Sequence, residues 1–286
     1  MANLSAVRPS PIAGTWYNAN PQRLSLQIDE YLDSAHPPRI NGEVLALIAP
    51  HAGHRYSGKT AAHAFQTVRG QSRDLVAVVS PMHAPAAHPL LTTAHAAYAT
   101  PLGVVEVDQA ASGALERALA ESSLTLAKVA RDQEHSLEIE LPFLQRALLG
   151  EFRLLPVMVH THSQQVCQAL GEALARVLAG QNYLLVASTD LSHFYPQPLA
   201  ERLDAAMLRC FEQFNPPAIF ALEESGKGFA CGAPAVAAVL WAARALGADA
   251  VQVLHYSTSA EETGDPSAVV GYGAAAVIKT ALALRA

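Results

Sequence analysis

Three histidines in this 286-residue chain follow apolar runs in the same way. Val44–Ile48 passes into Ala49-Pro50-His51-Ala52-Gly53, and Leu75–Val79 into Ser80-Pro81-Met82-His83. Tyr183–Ala187 passes into Ser188-Thr189-Asp190-Leu191-Ser192-His193. Imidazole is a common metal ligand and exchanges protons near neutral pH. Three such ends could supply a metal site, an acid–base site, or both. A fourth run, Leu154–Val159, ends in His160. The chain has 12 histidines, so a loop histidine taken alone is read as an incidental hydrogen-bonding group. Placement directly after a strand singles out His51, His83 and His193. His63, His88, His95 and His162 lack that placement and keep the incidental reading.

Two further groups carry chemistry. Asp132-Gln133-Glu134-His135-Ser136 is dense in acid–base side chains and opens a helical pattern. Acids favour helix starts on electrostatic grounds, and Ser136 can bond the free amides there. The alternative is a Glu134–His135 pair facing a pocket. Cys231, in Gly228-Phe229-Ala230-Cys231-Gly232, stands just before a helix, where a thiol is favoured as thiolate. The other reading of a lone cysteine is a small buried hydrophobe, and Cys167 and Cys210, inside helical patterns, take it. Imidazole with thiolate suits iron, copper or zinc rather than magnesium or calcium. No His-Glu-x-x-His motif, phosphate loop or serine-nucleophile elbow is present, and Gly271-Tyr272-Gly273 lies inside a strand pattern rather than a dinucleotide fingerprint.

The elements that must position these residues follow from hydrophobic patterning. Candidate strands are Val44–Ile48, Leu75–Val79, Leu154–Val159, Tyr183–Ala187, Val251–Leu254 and Val269–Val277. Candidate helices are Pro21–Ser34, Gly58–Val68, Gln109–Ala120, Ser136–Leu149, Gln164–Leu178, Leu199–Phe214 and Ala233–Ala245. Ser163 is placed to cap the helix that follows it. Pro142 makes the first turns of Ser136–Leu149 irregular. Asn215–Gly232 reads as a short helix plus a loop. Alternating strands and helices of these lengths predict an α/β fold: one domain over residues 1–286, a central, mostly parallel sheet, and helices on both faces. Near-continuous apolar strands agree, because they imply burial on both sides. In such sheets ligands bind beyond the carboxyl ends of the strands, where the three histidines fall. Asp190 and His193, three apart after one strand, are expected to face that crevice together.

Bulk composition limits the partners. With 51% hydrophobic and 15% charged residues the chain can bury a large core. A net charge of −6 argues against nucleic acid or an anionic membrane surface. Met1–Thr15 lacks a basic region followed by an apolar run, so no signal peptide is expected. No run is long enough to span a bilayer. Three separated cysteines do not form a disulfide framework, and the expectation is a reducing cytoplasm.

Ala13-Gly14-Thr15-Trp16-Tyr17, Ala49-Pro50-His51-Ala52-Gly53, Ser80-Pro81-Met82-His83, Glu134-His135-Ser136-Leu137-Glu138, Ser188-Thr189-Asp190-Leu191-Ser192-His193 and Cys231-Gly232 resemble, in this order, the Memo family. Its bacterial members are called the B protein of the AmmeMemoRadiSam system. Gly264–Tyr272 also resembles the family's C-terminal strand, so the likeness runs from about Arg8 to Thr280. The second motif departs locally. The family usually has Gly-Pro-Ser-His-His, whereas this chain has Ser80-Pro81-Met82-His83-Ala84, and His83 matches the first histidine of the pair.

The resemblance implies a fold related to class III extradiol ring-cleavage dioxygenases, which hold non-haem iron with two histidines and a carboxylate. His51 and His83 match those two histidines, and His193 matches their acid–base histidine. Cys231 stands where the dioxygenases use glutamate, and a softer, more electron-rich ligand means that catechol cleavage does not carry over directly. The implied cofactor is a transition metal, iron first, with copper or zinc as alternatives. Three functions follow: a redox enzyme or oxygenase acting on a small substrate, with His193 moving a proton and Asp190 orienting it; a non-catalytic module binding a metal or a peptide; and a metal-dependent hydrolase. The likeness also implies a functional link to a radical SAM protein.

Overall fold

A computed structural model describes residues 6–281. The first five positions of the Met1–Thr15 reading, and both ends of the 1–286 span, lie outside the described residues. The strands are β1 (Val7–Arg8), β2 (Gly42–Ala49), β3 (Leu75–Pro81), β4 (Leu90–Thr93), β5 (Ala97–Thr100), β6 (Gly103–Glu106), β7 (Leu126–Val129), β8 (Arg153–Val159), β9 (Tyr183–Ser188), β10 (His193–Tyr195), β11 (Ala250–Thr258) and β12 (Val269–Thr280). The helices are α1 (Pro21–Ser34), α2 (His54–Gln66), α3 (Gln109–Ala120), α4 (Leu141–Ala147), α5 (Gln164–Leu178), α6 (Gln197–Glu212), α7 (Pro216–Glu224), α8 (Ala233–Ala245) and α9 (Ala260–Thr263).

The main sheet runs β10-β12-β2-β9-β3-β8-β4-β7, with β11 also paired to β12. The four strands β2, β9, β3 and β8 at its centre are mutually parallel. Antiparallel pairings flank them, β12 on one side and β4 on the other, and the edge strand β7 runs parallel to β4. A smaller sheet joins β1, β5 and β6.

Strand residues alternate between two apolar layers because successive side chains leave opposite faces. On β3, Leu75, Ala77 and Val79 join the layer made with α3, α5, α6 and α8. Val76 and Val78 join the layer made with α1, α2 and α4. On β9, Leu185 and Ala187 take the first side, and Leu184 and Val186 the second. Both layers rest on the same sheet, giving the three-layer α/β architecture that the patterning predicts.

Helix boundaries have local causes. The side chains of Asn20, Asp108 and Ser163 accept from backbone amides in the first turns of α1, α3 and α5, satisfying donors that lack an intrahelical partner. Pro142 sits in the first turn of α4, and a 3₁₀ turn, Glu138–Glu140, precedes it. α2 starts at His54, four residues before the patterning predicts. Its Ser57 and Gly58 are weak helix formers, but tertiary packing requires a small residue there: a Cβ on Gly58 would meet the Tyr31 ring of α1 at 2.6 Å. The strands β4 to β7 escape sequence patterning because each is only four residues long.

Candidate metal centre

The parallel order β2-β9-β3-β8 places four carboxyl ends on one edge. His51 follows β2 by two residues, His83 follows β3 by two, and Asp190 follows β9 by two. β9 lies between the histidine-bearing strands, so their backbones are two strand spacings apart, about 10 Å. The side chains close that gap: the ring centroids of His51 and His83 lie 5.4 Å apart, nearly perpendicular. Cys231 arrives from the loop before α8. Two hydrogen bonds with Asp190 hold it there, Cys231 N donating to Asp190 O at 3.1 Å and Asp190 N donating to the side-chain Cys231 Sγ at 3.2 Å. Gly232 makes this approach possible, since a Cβ there would sit 2.3 Å from Ser188 O. Cys231 Sγ thereby comes within 3.1 Å of His51 Nε2. One nitrogen from each histidine and the sulfur lie within 4.8 Å of one another.

These residues fit a transition metal. His51 Nδ1 lies 2.9 Å from Ser188 Oγ, and His83 Nδ1 lies 2.9 Å from Glu134 Oε1. Each ring therefore has its Nδ1 engaged and its Nε2 available, the arrangement in which outer partners orient metal-ligating histidines. An ion bound tetrahedrally at about 2.3 Å from sulfur and 2.0 Å from nitrogen separates those atoms by about 3.5 Å. Little more than a side-chain adjustment converts the present 3.1 Å contact into that spacing.

Burial is the largest influence on the ionisable groups of the cluster. Burial holds His51 well below the usual imidazole range, and the neighbouring His135 and His83 act in the same direction. Burial raises the Asp190 carboxyl to about 7, against the His51 and Ala52 amides that bond it. Burial also drives the Cys231 thiol upward, and the Asp190 charge adds to the effect. A position before a helix was expected to favour the thiolate, but desolvation outweighs the helix terminus here. For His83, burial acts downward, yet the hydrogen bond and charge of Glu134 prevail and its basicity rises. Glu134 shifts the opposite way: burial would raise it, but His83 and several amides hold it ionised.

Glu134 and His135 also reach the site. A second set of converging donors, His83, Glu134 and His135, shares His83 with the first. Glu134 is already occupied, however: it accepts from His83 N, His135 N and Ser136 N in addition to His83 Nδ1. It serves as an orienting carboxylate. His135 stacks on His83 at 4.8 Å and against Trp16 at 4.0 Å. Burial lowers its basicity to about 4, with His83 adding to the effect and Glu134 opposing it.

His193 lies at the exposed mouth, near enough to His51 and His83 for the charges to interact. Asp190 was expected to orient it. The structure instead gives the hydrogen bond on His193 Nδ1 to Leu191 O, at 2.9 Å, while Asp190 Oδ1 accepts from His51 N at 2.8 Å. Asp190 thus braces the His51 turn. Asp204, buried on α6, braces the His193 turn by accepting from Ser192 N at 2.9 Å and from the Tyr256 hydroxyl at 2.8 Å. Phe194, next to His193, is exposed and left-handed at φ 63°, an uncommon conformation for a bulky residue.

His160, the fourth post-strand histidine, bonds Met82 O through Nδ1 at 3.1 Å and supports the His83 turn from outside. Patterning missed Ser188, Glu140 and Asp204. The one available signal was acidic residues at 138 and 140 inside an otherwise apolar run, since carboxylates are seldom fully buried without a partner. A groove of about 1010 Å³ lined by Asp74, Glu106, Asp108 and Arg153 opens at the amino-terminal ends of β3 and β8, away from these donors. Convergence of donors, rather than concavity, locates the candidate centre.

Fold and site together define an α/β protein with a His/His/Cys donor set at the carboxyl edge of its parallel strands. The profile of Memo-like proteins matches residues 8–276. The chain is 30% identical over 272 residues to a "MEMO1 family protein" of Nitrosopumilus maritimus, covering 94% of this chain and 98% of that one. Proteins of the same description from Aquifex aeolicus and Aeropyrum pernix are 33% and 34% identical, covering 93% and 95% of this chain and 97% and 99% of theirs. The chain belongs to the Memo-like family.

Proposed function

We propose that His51, His83 and Cys231 hold one transition metal ion, and that the protein is a metal-dependent redox enzyme acting on a small organic substrate. Iron is the first expectation, with copper and zinc as alternatives on the same donor set. The observation that carries this reading is the 3.1 Å approach of Cys231 Sγ to His51 Nε2, with His83 in the same cluster and both Nδ1 atoms committed elsewhere. When bound, the ion would supply redox and Lewis-acid chemistry at that position.

The chain's own groups have distinct tasks. Glu134 and Ser188 fix the imidazole planes of His83 and His51. Donation from His193 Nδ1 to Leu191 O leaves Nε2 basic, and burial lowers its pKa. A neutral imidazole at the mouth can take a proton from substrate at Nε2 and return it later. Trp16 packs on His135, which in turn stacks on His83, and exposed Phe194 stands beside His193.

The test is elemental analysis of protein purified without oxygen, followed by oxygen-consumption assays with candidate small substrates. Stoichiometric iron with oxygen uptake supports the reading. Zinc with hydrolytic turnover would replace it with a hydrolase, and a chain that takes up no metal would leave a non-catalytic binding module.

A further inference from the structure

Ser188 Oγ has three polar neighbours and one hydrogen to give. Ser136 O lies 2.7 Å away, Glu140 Oε1 2.6 Å and His51 Nδ1 2.9 Å. Ser188, Ser136 and Glu140 are at most 1% exposed, so an unmade hydrogen bond among them would be costly. Ser136 O is a carbonyl and can only accept, so the Ser188 hydrogen must point to it. The two lone pairs of Oγ then face Glu140 and His51. For both of those contacts to be hydrogen bonds, both partners must donate.

We propose that Glu140 is held as a neutral carboxylic acid donating to Ser188, and that this arrangement fixes His51 as its Nδ1–H tautomer, with the Nε2 lone pair directed at Cys231 and the metal position. Glu140 is a positioning residue: it acts on His51 only through Ser188. The alternative, an ionised Glu140 taking the Ser188 hydrogen, would leave Ser136 O facing Oγ at 2.7 Å with no proton between them. The surroundings favour the neutral acid. Burial drives the Glu140 carboxyl well above its ordinary range, the hydrogen bond with Ser188 opposes this, and the Asp190 charge pushes it further up. No Lys or Arg pairs with Glu140 among the described residues' ion pairs.

The consequence for metal binding rests on the function proposed above, but the tautomer and the protonated acid do not, and both can be read in metal-free protein. The experiment uses the full-length chain labelled with ¹⁵N-histidine, with the His51 signals assigned by their loss in His51→Gln. Long-range ¹H–¹⁵N correlation should show a protonated Nδ1 and a bare Nε2 at neutral pH. The infrared C=O stretch of protonated carboxyls should include a component that is lost in Glu140→Gln and kept in Asp190→Asn, because the Asp190 carboxyl, raised to about 7, contributes its own. An Nε2–H tautomer, or a protonated-carboxyl band unchanged in Glu140→Gln, would overturn the proposal.

Glu140→Gln should keep the His51 tautomer, because the amide still donates to Ser188. Ser188→Ala should mix the tautomers and weaken Zn(II) and Fe(II) binding about 10- to 100-fold. An unchanged tautomer in Ser188→Ala would show that the relay positions nothing. If wild-type protein binds neither metal, the proposed function fails while the tautomer and the infrared band still decide this inference.

Discussion

Cys231 Sγ stands 3.1 Å from His51 Nε2 although 180 residues separate them in the chain. The contact depends on two independent placements: the end of β2, and a loop held to Asp190 by one backbone hydrogen bond and one from Asp190 N to Cys231 Sγ. Replacing one ligand should therefore remove metal without unfolding the protein. The His51→Ala, His83→Ala double variant is expected to purify with less than a tenth of the wild-type metal, and Cys231→Ser with a strongly reduced amount. Cys167→Ser and Cys210→Ser should keep it, because those residues lie on α5 and α6 away from the site. Metal stoichiometry by mass spectrometry makes the comparison. Equal metal in the double variant would remove the His/His/Cys centre.

His193 should separate chemistry from binding. Its ring is tied to Leu191 O and is not part of the ligand cluster. His193→Ala is expected to bind metal as tightly as wild type while losing turnover by about 10²- to 10⁴-fold, the usual contribution of a positioned acid–base group. Metal content and rate measured on the same preparation check this. Full turnover would reduce His193 to a structural role.

Much of this was legible in the sequence. The apolar runs located β2, β3, β8 and β9, and His51, His83 and His193 after them shared an edge once those strands proved parallel. Cys231 was visible only as a cysteine between small residues, and the family likeness rather than its spacing tied it to the histidines. Periodicity could not reveal the outer partners. Ser188 looks like the last residue of an apolar strand, and Glu140 like a misplaced charge in an apolar run. Their meaning depends on which chain segment crosses above the sheet edge. The role expected of Asp190 failed for the same reason: three-residue spacing puts Asp190 and His193 on one turn but does not say which backbone amide each will meet.

Arg8 anchors the segment that carries Trp16 to the loop that carries Glu134. Its guanidinium is fully buried, pairs with Asp132 at 2.7 Å and with Glu138, and donates to Glu134 O at 2.8 Å. Tyr17 adds a hydroxyl to Glu138 at 2.7 Å. Removing one partner strands two buried carboxylates, and breaking a buried pair costs about 3–5 kcal/mol. Arg8→Met should lower stability by that amount in urea unfolding, well beyond the effect of an exposed pair such as Arg153–Glu106. A loss below about 1 kcal/mol would mean that water replaces the guanidinium.

Gly271 tests the brace behind His193. It lies on β12, where Gly271 N donates to Ser192 O and Leu191 N donates to Gly271 O. A Cβ there would fall 1.9 Å from Asp204 Oδ2, so Asp204 must move and release Ser192 N. Gly271→Ala is expected to cost about 1–3 kcal/mol, as overpacking does, and to reduce turnover more than metal content. Thermal unfolding and rate, measured beside Asp204→Asn, separate the steric effect from loss of the brace. A stable, fully active Gly271→Ala would show that the His193 turn does not depend on Asp204.

The pH dependence of metal affinity distinguishes a thiolate ligand from a bystander. Burial, reinforced by Asp190, raises the Cys231 thiol, so near neutral pH it carries a proton that a bound metal must displace. Affinity should then rise about tenfold per pH unit, one proton leaving for each ion bound. His51 adds nothing there, because burial keeps it neutral. His83 behaves differently: burial works against its proton, but Glu134 prevails and raises the pKa. At pH values below that raised pKa a second proton must leave, and the slope should steepen toward about a hundredfold per unit. Dissociation constants measured by competition with a chelator across a pH series give both slopes. Cys231→Ser should bind more weakly and lose the thiol's contribution, leaving the His83 step and that of the neighbouring Asp190 carboxyl, which burial raises to about 7. A wild-type affinity that is flat around neutrality would mean that no proton leaves on binding, and that Cys231 packs beside the ion without ligating it.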